Sequence, residues 1–82
     1  MSPTVFRYRQ YRFFFFSREE ARIHIHVTSG EGEAKFWLDP ATKLAMSKGL
    51  TELEVRELYL IIKEHEDEIR AHWRRHFGDC GD

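Results

Sequence analysis

The strongest constraint on the fold is a strict alternation of apolar and polar residues on both sides of one glycine turn. Residues 23–28 read Ile-His-Ile-His-Val-Thr and residues 33–38 read Glu-Ala-Lys-Phe-Trp-Leu, with Ser-Gly-Glu-Gly between them. Alternation with a period of two is typical of strands that bury one face, and a glycine turn between two such runs predicts a hairpin. The expected register pairs Thr28 with Glu33, His26 with Lys35 and His24 with Trp37.

Two further segments extend this sheet. Residues 5–8 and 11–16 are rich in aromatic and β-branched side chains, and only Arg9 and Gln10 separate them, which favours another hairpin. Tight two-residue turns prefer glycine or asparagine because they need a positive φ, so this turn is either strained or longer than two residues. Residues 42–47 suit a short fifth strand or a helical turn, and we favour the strand.

The C-terminal third of the chain predicts one long helix. Thr51 and Glu54 have the spacing of a capping box, which marks a helix start. Apolar residues then recur with helical periodicity, which is typical of a helix packed on a sheet. Leu53 and Leu60 fall on the polar side of this helix and indicate contact with a partner or a loop.

The predicted fold is therefore α+β in a single domain over residues 1–82. An antiparallel β-meander of four strands, or five with residues 42–47, occupies about residues 4–47. One helix over about residues 52–77 packs against it, and residues 78–82 form a frayed tail.

Charge is distributed unevenly along the chain. Residues 1–30 carry five Arg against two Glu, whereas residues 31–82 carry eight Lys or Arg against twelve Asp or Glu. The basic first part suits an acidic partner, although the same arginines also keep an aromatic hairpin soluble. The chain has one cysteine and no apolar run of the ~20 residues that a membrane helix needs, so we expect a cytoplasmic protein without membrane contact.

His24 and His26 are candidates for chemistry because residues two apart on a strand point to the same side. Histidine pairs can supply a general acid and a general base near neutral pH, and the expected register places Lys35 beside them. If the protein is an enzyme, these three residues are the predicted catalytic group. The alternative use of this face is a binding surface for a partner protein or single-stranded RNA, formed by Arg12, Glu33 and Trp37.

The five histidines also raise the question of a metal site, since imidazole is the commonest metal ligand. If the helix covers the histidine face of the sheet, four or five imidazoles converge; if it covers the isoleucine face, they stay apart. No zinc-helix motif or cysteine pair is present, so we expect no cofactor and no metal. A metal, if bound, would use His24, His26, His65 and His72.

Several strings in this chain resemble a family of short bacterial proteins, domain-of-unknown-function family 4160, over nearly its whole length. They are Tyr-Arg-Phe-Phe-Phe at 11–15, His-Ile-His-Val at 24–27, Ala-Lys-Phe-Trp-Leu at 34–38 and an ending with Trp73 and Phe77. The resemblance implies a small stand-alone bacterial protein. It also implies a small protein partner encoded nearby, whose family includes DNA-binding, antitoxin-like members.

Two positions depart from the family pattern. Arg9 and Gln10 stand where the family tends to have glycine, and residues 20–22 read Glu-Ala-Arg where it tends to have prolines. The approach to the histidine strand therefore differs from that of the family.

Three hypotheses about function follow. The first is a protein-interaction component of a two-gene module, toxin–antitoxin-like or regulatory, that binds the partner encoded nearby; a homodimer stays open. The aromatic content of 15 % exceeds what one thin core needs, which favours this hypothesis. The second is an RNA-cleaving toxin that uses His24 and His26, and the third is a small metal-binding domain.

Overall fold

The computed structural model describes residues 4–15 and 22–77, with side chains as far as residue 75. Within these ranges one antiparallel sheet has the order β1-β2-β3-β4-β5, and two helices follow it. The α+β class and the predicted meander are confirmed, with a fifth strand; the predicted tail at 78–82 lies outside the described residues. The bounds are β1 Thr4–Tyr8, β2 Tyr11–Phe14, β3 His24–Thr28, β4 Glu33–Trp37, β5 Lys43–Lys48, α1 Glu52–Glu64 and α2 Glu66–Phe77.

The β3–β4 hairpin has the register that the alternation predicts: His24 pairs with Trp37, His26 with Lys35 and Thr28 with Glu33. The backbone N–H of Ser29 donates to the carbonyl of Gly32 at 2.9 Å and closes the turn. Gly32 is required by a close approach of two loops, because a Cβ there would collide with the backbone carbonyl of Lys48. The turn therefore determines both the pairing of β3 with β4 and the approach of β5.

The β1–β2 hairpin closes through a two-residue turn, Arg9 and Gln10, with Tyr8 paired to Tyr11. Arg9 adopts a φ of 55°, a left-handed conformation that costs a residue with a Cβ about 1–2 kcal/mol. Of the two alternatives that the sequence left open, the strained tight turn is therefore correct. An ion pair from Arg9 to Glu57 at 3.3 Å spans the hairpin and α1, but exposed pairs of this kind contribute little.

α1 lies on the isoleucine face of the sheet, and Ile69 and Trp73 of α2 belong to the same buried cluster. The hydroxyl of Tyr11 on β2 donates to the Glu54 carboxylate of α1 at 3.3 Å, and burial, reinforced by that carboxylate, raises the pKa of Tyr11. This placement leaves His26 on the opposite side of the sheet from the core. The buried cluster between sheet and helices includes Phe13, Ile25, Val27, Phe36, Leu58, Ile62 and Ile69.

The prediction of one long C-terminal helix is wrong. α1 ends at Glu64 and α2 begins at Glu66, with His65 between them at φ −113° and ψ 18°. In a continuous helix the N–H of His65 would bond the carbonyl of Ile61, but it bonds Ile62 at 3.0 Å instead. The Nδ1 of His65 donates to the Ile61 carbonyl at 2.8 Å, so the side chain replaces the backbone donor and the chain bends.

The start of the C-terminal helical region agrees with the sequence. Thr51 caps α1, and the reciprocal hydrogen bonds of its capping box with Glu54 measure 3.1 Å and 2.8 Å.

The sequence does carry a signal for the later break, since residues 63–68 contain no apolar side chain. A helix without an apolar face over that span has nothing to keep it straight against the sheet.

α2 contacts the end of the sheet at which β3 begins and β4 finishes. Arg70 donates to the carbonyl of Leu38 at 2.5 Å. Trp73 makes an edge-on contact with Phe15 at a centroid distance of 5.3 Å and with His24 at 5.1 Å. The break at His65 therefore separates α1 from α2, and α2 contacts His24, the first residue of β3.

Glu66 joins α2 to the loop between β4 and β5. The buried hydroxyl of Thr42 donates to its carboxylate, and the cationic groups of Lys63 and Arg70 each lie 3.6 Å from it. The Thr42 hydrogen bond lowers the pKa of Glu66, and the two cations act in the same direction against the effect of burial.

The strain at Arg9 predicts that glycine stabilises the first hairpin. Arg9→Gly and Arg9→Ala both remove the ion pair to Glu57, but only glycine adopts positive φ without steric cost. We expect Arg9→Gly to exceed Arg9→Ala by about 1 kcal/mol in the free energy of unfolding, measured by urea titration. Equal stability of the two variants would show that the turn is not strained.

The contact of Thr42 with Glu66 predicts a stability term that depends on pH. Thr42→Val should lose about 1 kcal/mol of unfolding free energy near neutral pH, because the carboxylate loses a donor. Since the pKa of Glu66 is lowered in the folded state, its contribution is present above the unfolded pKa of about 4.3 and is lost as the pH falls through the folded value. Urea titrations should show the difference from wild type shrinking below about pH 4.

The control for this pH dependence is the same change in a Glu66→Gln background, where the side chain does not ionise. There the effect of Thr42→Val should be constant over the same pH range. A difference that stays constant with Glu66 in place contradicts the assignment.

Candidate functional site

The sheet face opposite the helices carries a second, solvent-facing set of side chains, which we call the open face. Side chains of directly paired strand residues lie on the same face of a sheet, so the register defines its members. Within the described residues they are Thr4, Arg7, Arg12, Phe14, His26, Thr28, Glu33, Lys35, Trp37, Lys43, Met46 and Lys48. His24 belongs to the same set by register but is buried at the end of the sheet.

Trp37 on β4 supports two cationic groups on the open face. The guanidinium carbon of Arg22 and the Nζ of Lys35 each lie 4.4 Å from the centre of its ring. Arg22 is held there because its Nε donates to the carbonyl of Asp39 at 2.5 Å. Contacts of this kind contribute about 0.5–1 kcal/mol at exposed sites, so both cations are positioned by the ring beneath them.

Phe14 on β2 supports a third cation in the same way. The guanidinium carbon of Arg12 lies 4.7 Å from the ring centre, and its Nε donates to the hydroxyl of Thr4 at 2.7 Å. The ring of His26 stacks on Phe14 at 5.6 Å. The aromatic residues of this face are therefore already engaged with cations and with an imidazole.

His24 is part of the packing and not of the accessible surface. Its Nδ1 donates to the carbonyl of Arg22 at 2.8 Å, and the residue has no exposed area. Three rings surround it, those of His26, Trp37 and Trp73, at centroid distances of 5.4, 5.7 and 5.1 Å. Within the described residues, its Nε2 is buried without a hydrogen-bond partner.

This burial bears on the predicted catalytic group. General acid–base catalysis requires an imidazole within hydrogen-bond reach of the substrate. His26 and Lys35 are half-buried on the open face, whereas His24 lies beneath the surface at the sheet end. The geometry therefore brings His26 and Lys35 together on the open face, with Nε2 of His26 itself buried, and favours a packing role for His24.

Charge on the open face is strongly one-sided. Arg7, Arg12, Arg22, Lys35, Lys43 and Lys48 supply cations. Glu33 is the acidic member among the described residues of this face. The exposed charges of the helices balance instead, with Glu52, Glu64, Asp67 and Glu68 against Arg56, Lys63, Arg74 and Arg75. The weak net charge of −1 thus conceals one basic face.

A shallow groove of about 490 Å³ runs over the open face. Arg12, His26, Glu33 and Lys35, which the sequence singled out, line this groove. Trp37 lies on the same face beside it. Phe14 and Met46, which the sequence did not indicate, line the groove as well, together with Val27 and Ala34. The sequence analysis also missed Lys43 and Lys48 at the ends of β5; the alternation in β5 is weak, because a register shift interrupts it.

The histidines do not form a metal site in the described part of the chain. No three His, Cys, Asp or Glu side chains there come close enough together to hold a metal ion. His65 stacks on Phe6 at 4.7 Å, and Phe6 stacks on Phe13 at 4.4 Å on the helix side of the sheet. His65 is therefore on the other side of the sheet from His26, and the side chain of His76 lies outside the described set.

Comparison with known proteins identifies a family. The family described as Domain of unknown function (DUF4160) matches residues 11–74, which is well over half of the 82 residues. The chain belongs to this family. No protein of curated function and no solved structure matches it. The matched segment contains β2 to β5, α1 and most of α2, so it includes the open face from Arg12 to Lys48.

In the described ranges neither α1 nor α2 is long and apolar enough to cross a bilayer.

The enclosure of His24 predicts a structural role that substitutions can separate from a catalytic one. His24→Phe keeps a ring against Trp37 and Trp73 but loses the donor to Arg22, and should cost about 1 kcal/mol of unfolding free energy. His24→Ala loses the ring contacts as well and should cost about 3 kcal/mol. Urea unfolding followed by tryptophan fluorescence measures both.

The matched control is His26→Ala, since His26 lies two residues away on the same strand but is half-buried. We expect this substitution to cost less than about 1.5 kcal/mol. Comparable losses at the two positions, or a stable His24→Ala variant, would contradict a packing role for His24.

Proposed function

We propose that this chain is a protein-interaction component that binds an acidic segment of a small partner protein through the open face. The observation that carries the proposal is the charge of that face, where six cations stand against one carboxylate within the described residues. Complementary charge accelerates encounter and selects partners of opposite sign.

The shape of the open face supports a protein ligand over a nucleic acid. Single-stranded RNA binding relies on free aromatic faces on which bases stack. Here Trp37 carries Arg22 and Lys35 at 4.4 Å, and Phe14 carries Arg12 at 4.7 Å. The groove also contains Met46 and Glu33, which suit an apolar and a basic side chain of a peptide better than a row of phosphates.

The two other hypotheses have less support. The RNA-cleaving toxin requires His24 to reach a substrate, and His24 is buried. The metal-binding domain requires converging ligands, and His65 packs on Phe6 away from the strand histidines.

The partner implied by the family resemblance is a small protein encoded beside this one, so that protein is the first candidate for the acidic ligand.

The experiment is co-expression of this chain with the product of the adjacent gene, with the affinity tag on that product. We expect the two proteins to co-purify and their measured affinity to fall as the salt concentration rises from about 50 mM to about 300 mM. Lys43→Glu/Lys48→Glu on β5 should weaken binding by about tenfold or more, because it reverses two exposed cations of the open face.

The matched control is Arg74→Glu/Arg75→Glu, which makes the same change in net charge at exposed positions of α2. It should bind as wild type does. Equal losses in both double variants would show that only net charge matters. Elution of the two proteins as separate monomers, together with tight binding of a single-stranded RNA oligonucleotide, would replace the proposal with nucleic-acid binding.

A further inference from the structure

The last strand of the sheet, β5, presents a backbone edge. Among the described strands β5 stands at the end of the sheet beside β4, and all of its residues are exposed. An edge strand directs a row of N–H and C=O groups away from the sheet, and an extended segment of another chain can pair with them. The residues that direct these groups outward follow from the pairing of the strands before β5.

The direction of the β4 backbone groups is defined by the pairing of β4 with β3. The N–H of Leu38 donates to the carbonyl of Ile23 at 2.9 Å, so these two residues form a hydrogen-bonded pair. Such pairs alternate with non-bonded pairs along an antiparallel ladder. In the unbroken register of β3 with β4, Phe36 and Ala34 therefore also direct their N–H and C=O groups toward β3 and not toward β5.

Leu44 and Ser47 are the β5 residues opposite Phe36 and Ala34. Because Phe36 and Ala34 bond to β3, these two cross-strand pairs are non-bonded, and Leu44 and Ser47 direct their N–H and C=O groups away from the sheet. Their side chains lie on the helix side, since directly paired residues share a face and both β4 residues are buried in the core. A strand added at this edge bonds to Leu44 and Ser47.

A groove lies on the helix side of this edge, between β5 and α1. Its volume is about 650 Å³, and Leu53, which is 77 % exposed, lines it. The helix-side side chains of an added strand lie next to this groove, so it suits apolar side chains. The apolar residues that line it are Phe36, Leu44, Leu50, Leu53, Val55 and Tyr59.

The other side of β5 is basic. Lys43 and Lys48 lie at its two ends on the open face, with Met46 between them, and β5 contains no carboxylate. An added strand thus meets lysines on one side and an apolar groove on the other. Since successive side chains of a strand point to opposite sides, the complementary sequence alternates acidic and apolar residues.

We propose that the partner docks on β5 by strand addition, with an extended segment of alternating acidic and apolar residues as a sixth strand of the sheet. This inference rests on the proposed function, because it takes that segment to be the acidic ligand of the open face. The acidic side chains of the segment face Lys43 and Lys48. Its apolar side chains pack into the groove beside Leu44 and Leu53.

A second copy of this chain is a poorer occupant of the edge. When two β5 strands pair antiparallel with full overlap, Lys43 faces Lys48 of the second copy, and this contact occurs twice. Like charges directly opposite each other destabilise a strand pair, and lysines on edge strands commonly prevent the pairing of identical edges. The charges that exclude a second copy are the ones that attract an acidic strand.

Amide hydrogen exchange, followed by NMR on the isotope-labelled chain, tests this docking mode with two probes. One probe is the adjacent gene product, and the other is a synthetic peptide that alternates glutamate and valine over about eight residues. In the free protein the amides of Leu44 and Ser47 should exchange faster than that of Met46, which faces β4. Either probe should slow the exchange of Leu44 and Ser47 by about tenfold or more.

A matched peptide and matched variants separate strand addition from general attraction. A peptide of the same composition, with its glutamates and valines in two blocks, should bind about tenfold more weakly. Ser47→Pro removes an outward N–H without removing a bond to β4 and should weaken both probes by about tenfold, whereas Ser47→Ala retains the N–H and should bind as wild type does.

The groove has its own pair of variants. Leu53→Ser should weaken binding of both probes by about fivefold, because it removes an apolar wall. Leu60→Ser makes the same change at another exposed position of α1, outside this groove, and should not weaken binding. Circular dichroism checks that each variant is folded.

Each outcome supports or overturns the inference. A complex with the adjacent gene product in which Leu44 and Ser47 exchange as fast as in the free protein overturns strand addition and leaves the proposed function intact. Slowed exchange with the peptide, without binding of the gene product, supports the edge and removes the proposed partner. Slowed exchange that grows with the concentration of the chain alone assigns the edge to a second copy and overturns the proposal. Absence of binding by either probe overturns both proposals.

Discussion

Burial of one sheet face against the two helices is the contact on which the rest of this structure depends. Ile25 and Phe36 from the central strands meet Leu58 and Ile62 from α1 in one cluster, and burial of each such side chain is worth about 1.5–3 kcal/mol. Because side chains alternate along a strand, this choice also determines what the other face displays. His26 and the lysines and arginines of the open face point away from the core because the isoleucines point into it.

The open face shows how a small domain carries many like charges close together. Arg12, Arg22 and Lys35 do not extend freely into solvent but lie over aromatic rings. An aromatic ring presents negative density to a cation above it, which offsets part of the repulsion among neighbouring cations. The surplus of aromatic residues in this chain is thus divided between the buried core and the support of a charged surface.

The break at His65 links the end of α1 to the packing of α2 against the start of β3. By supplying its ring to the Ile61 carbonyl, His65 ends α1 without leaving that acceptor unsatisfied. α2 starts as a separate helix, and its Trp73 contacts His24. His65 therefore affects the surroundings of His24 through the direction of α2. Within the described residues the two histidines do not contribute to a common metal site.

The sequence by itself determined the local and pairwise features of this protein. The alternation around residues 29–32 specified the β3–β4 register, since a slip of one residue would bury His26 and Lys35. The capping box specified the start of α1, and the position of Leu53 and Leu60 off the apolar arc specified an exposed apolar stripe. These features depend on neighbours within a turn or across one hairpin, where sequence spacing translates directly into geometry.

Only the tertiary structure decided which elements meet at a distance. The helix break depends on a side-chain hydrogen bond of His65 that competes with the backbone, and periodicity does not register such competition. The burial of His24 depends on Trp73, which is remote in sequence. The contribution of Lys43, Met46 and Lys48 to the open face depends on how β5 pairs past a register shift. The burial of His24 and the pairing of β5 are set by packing between elements, which a single sequence does not encode in any local pattern.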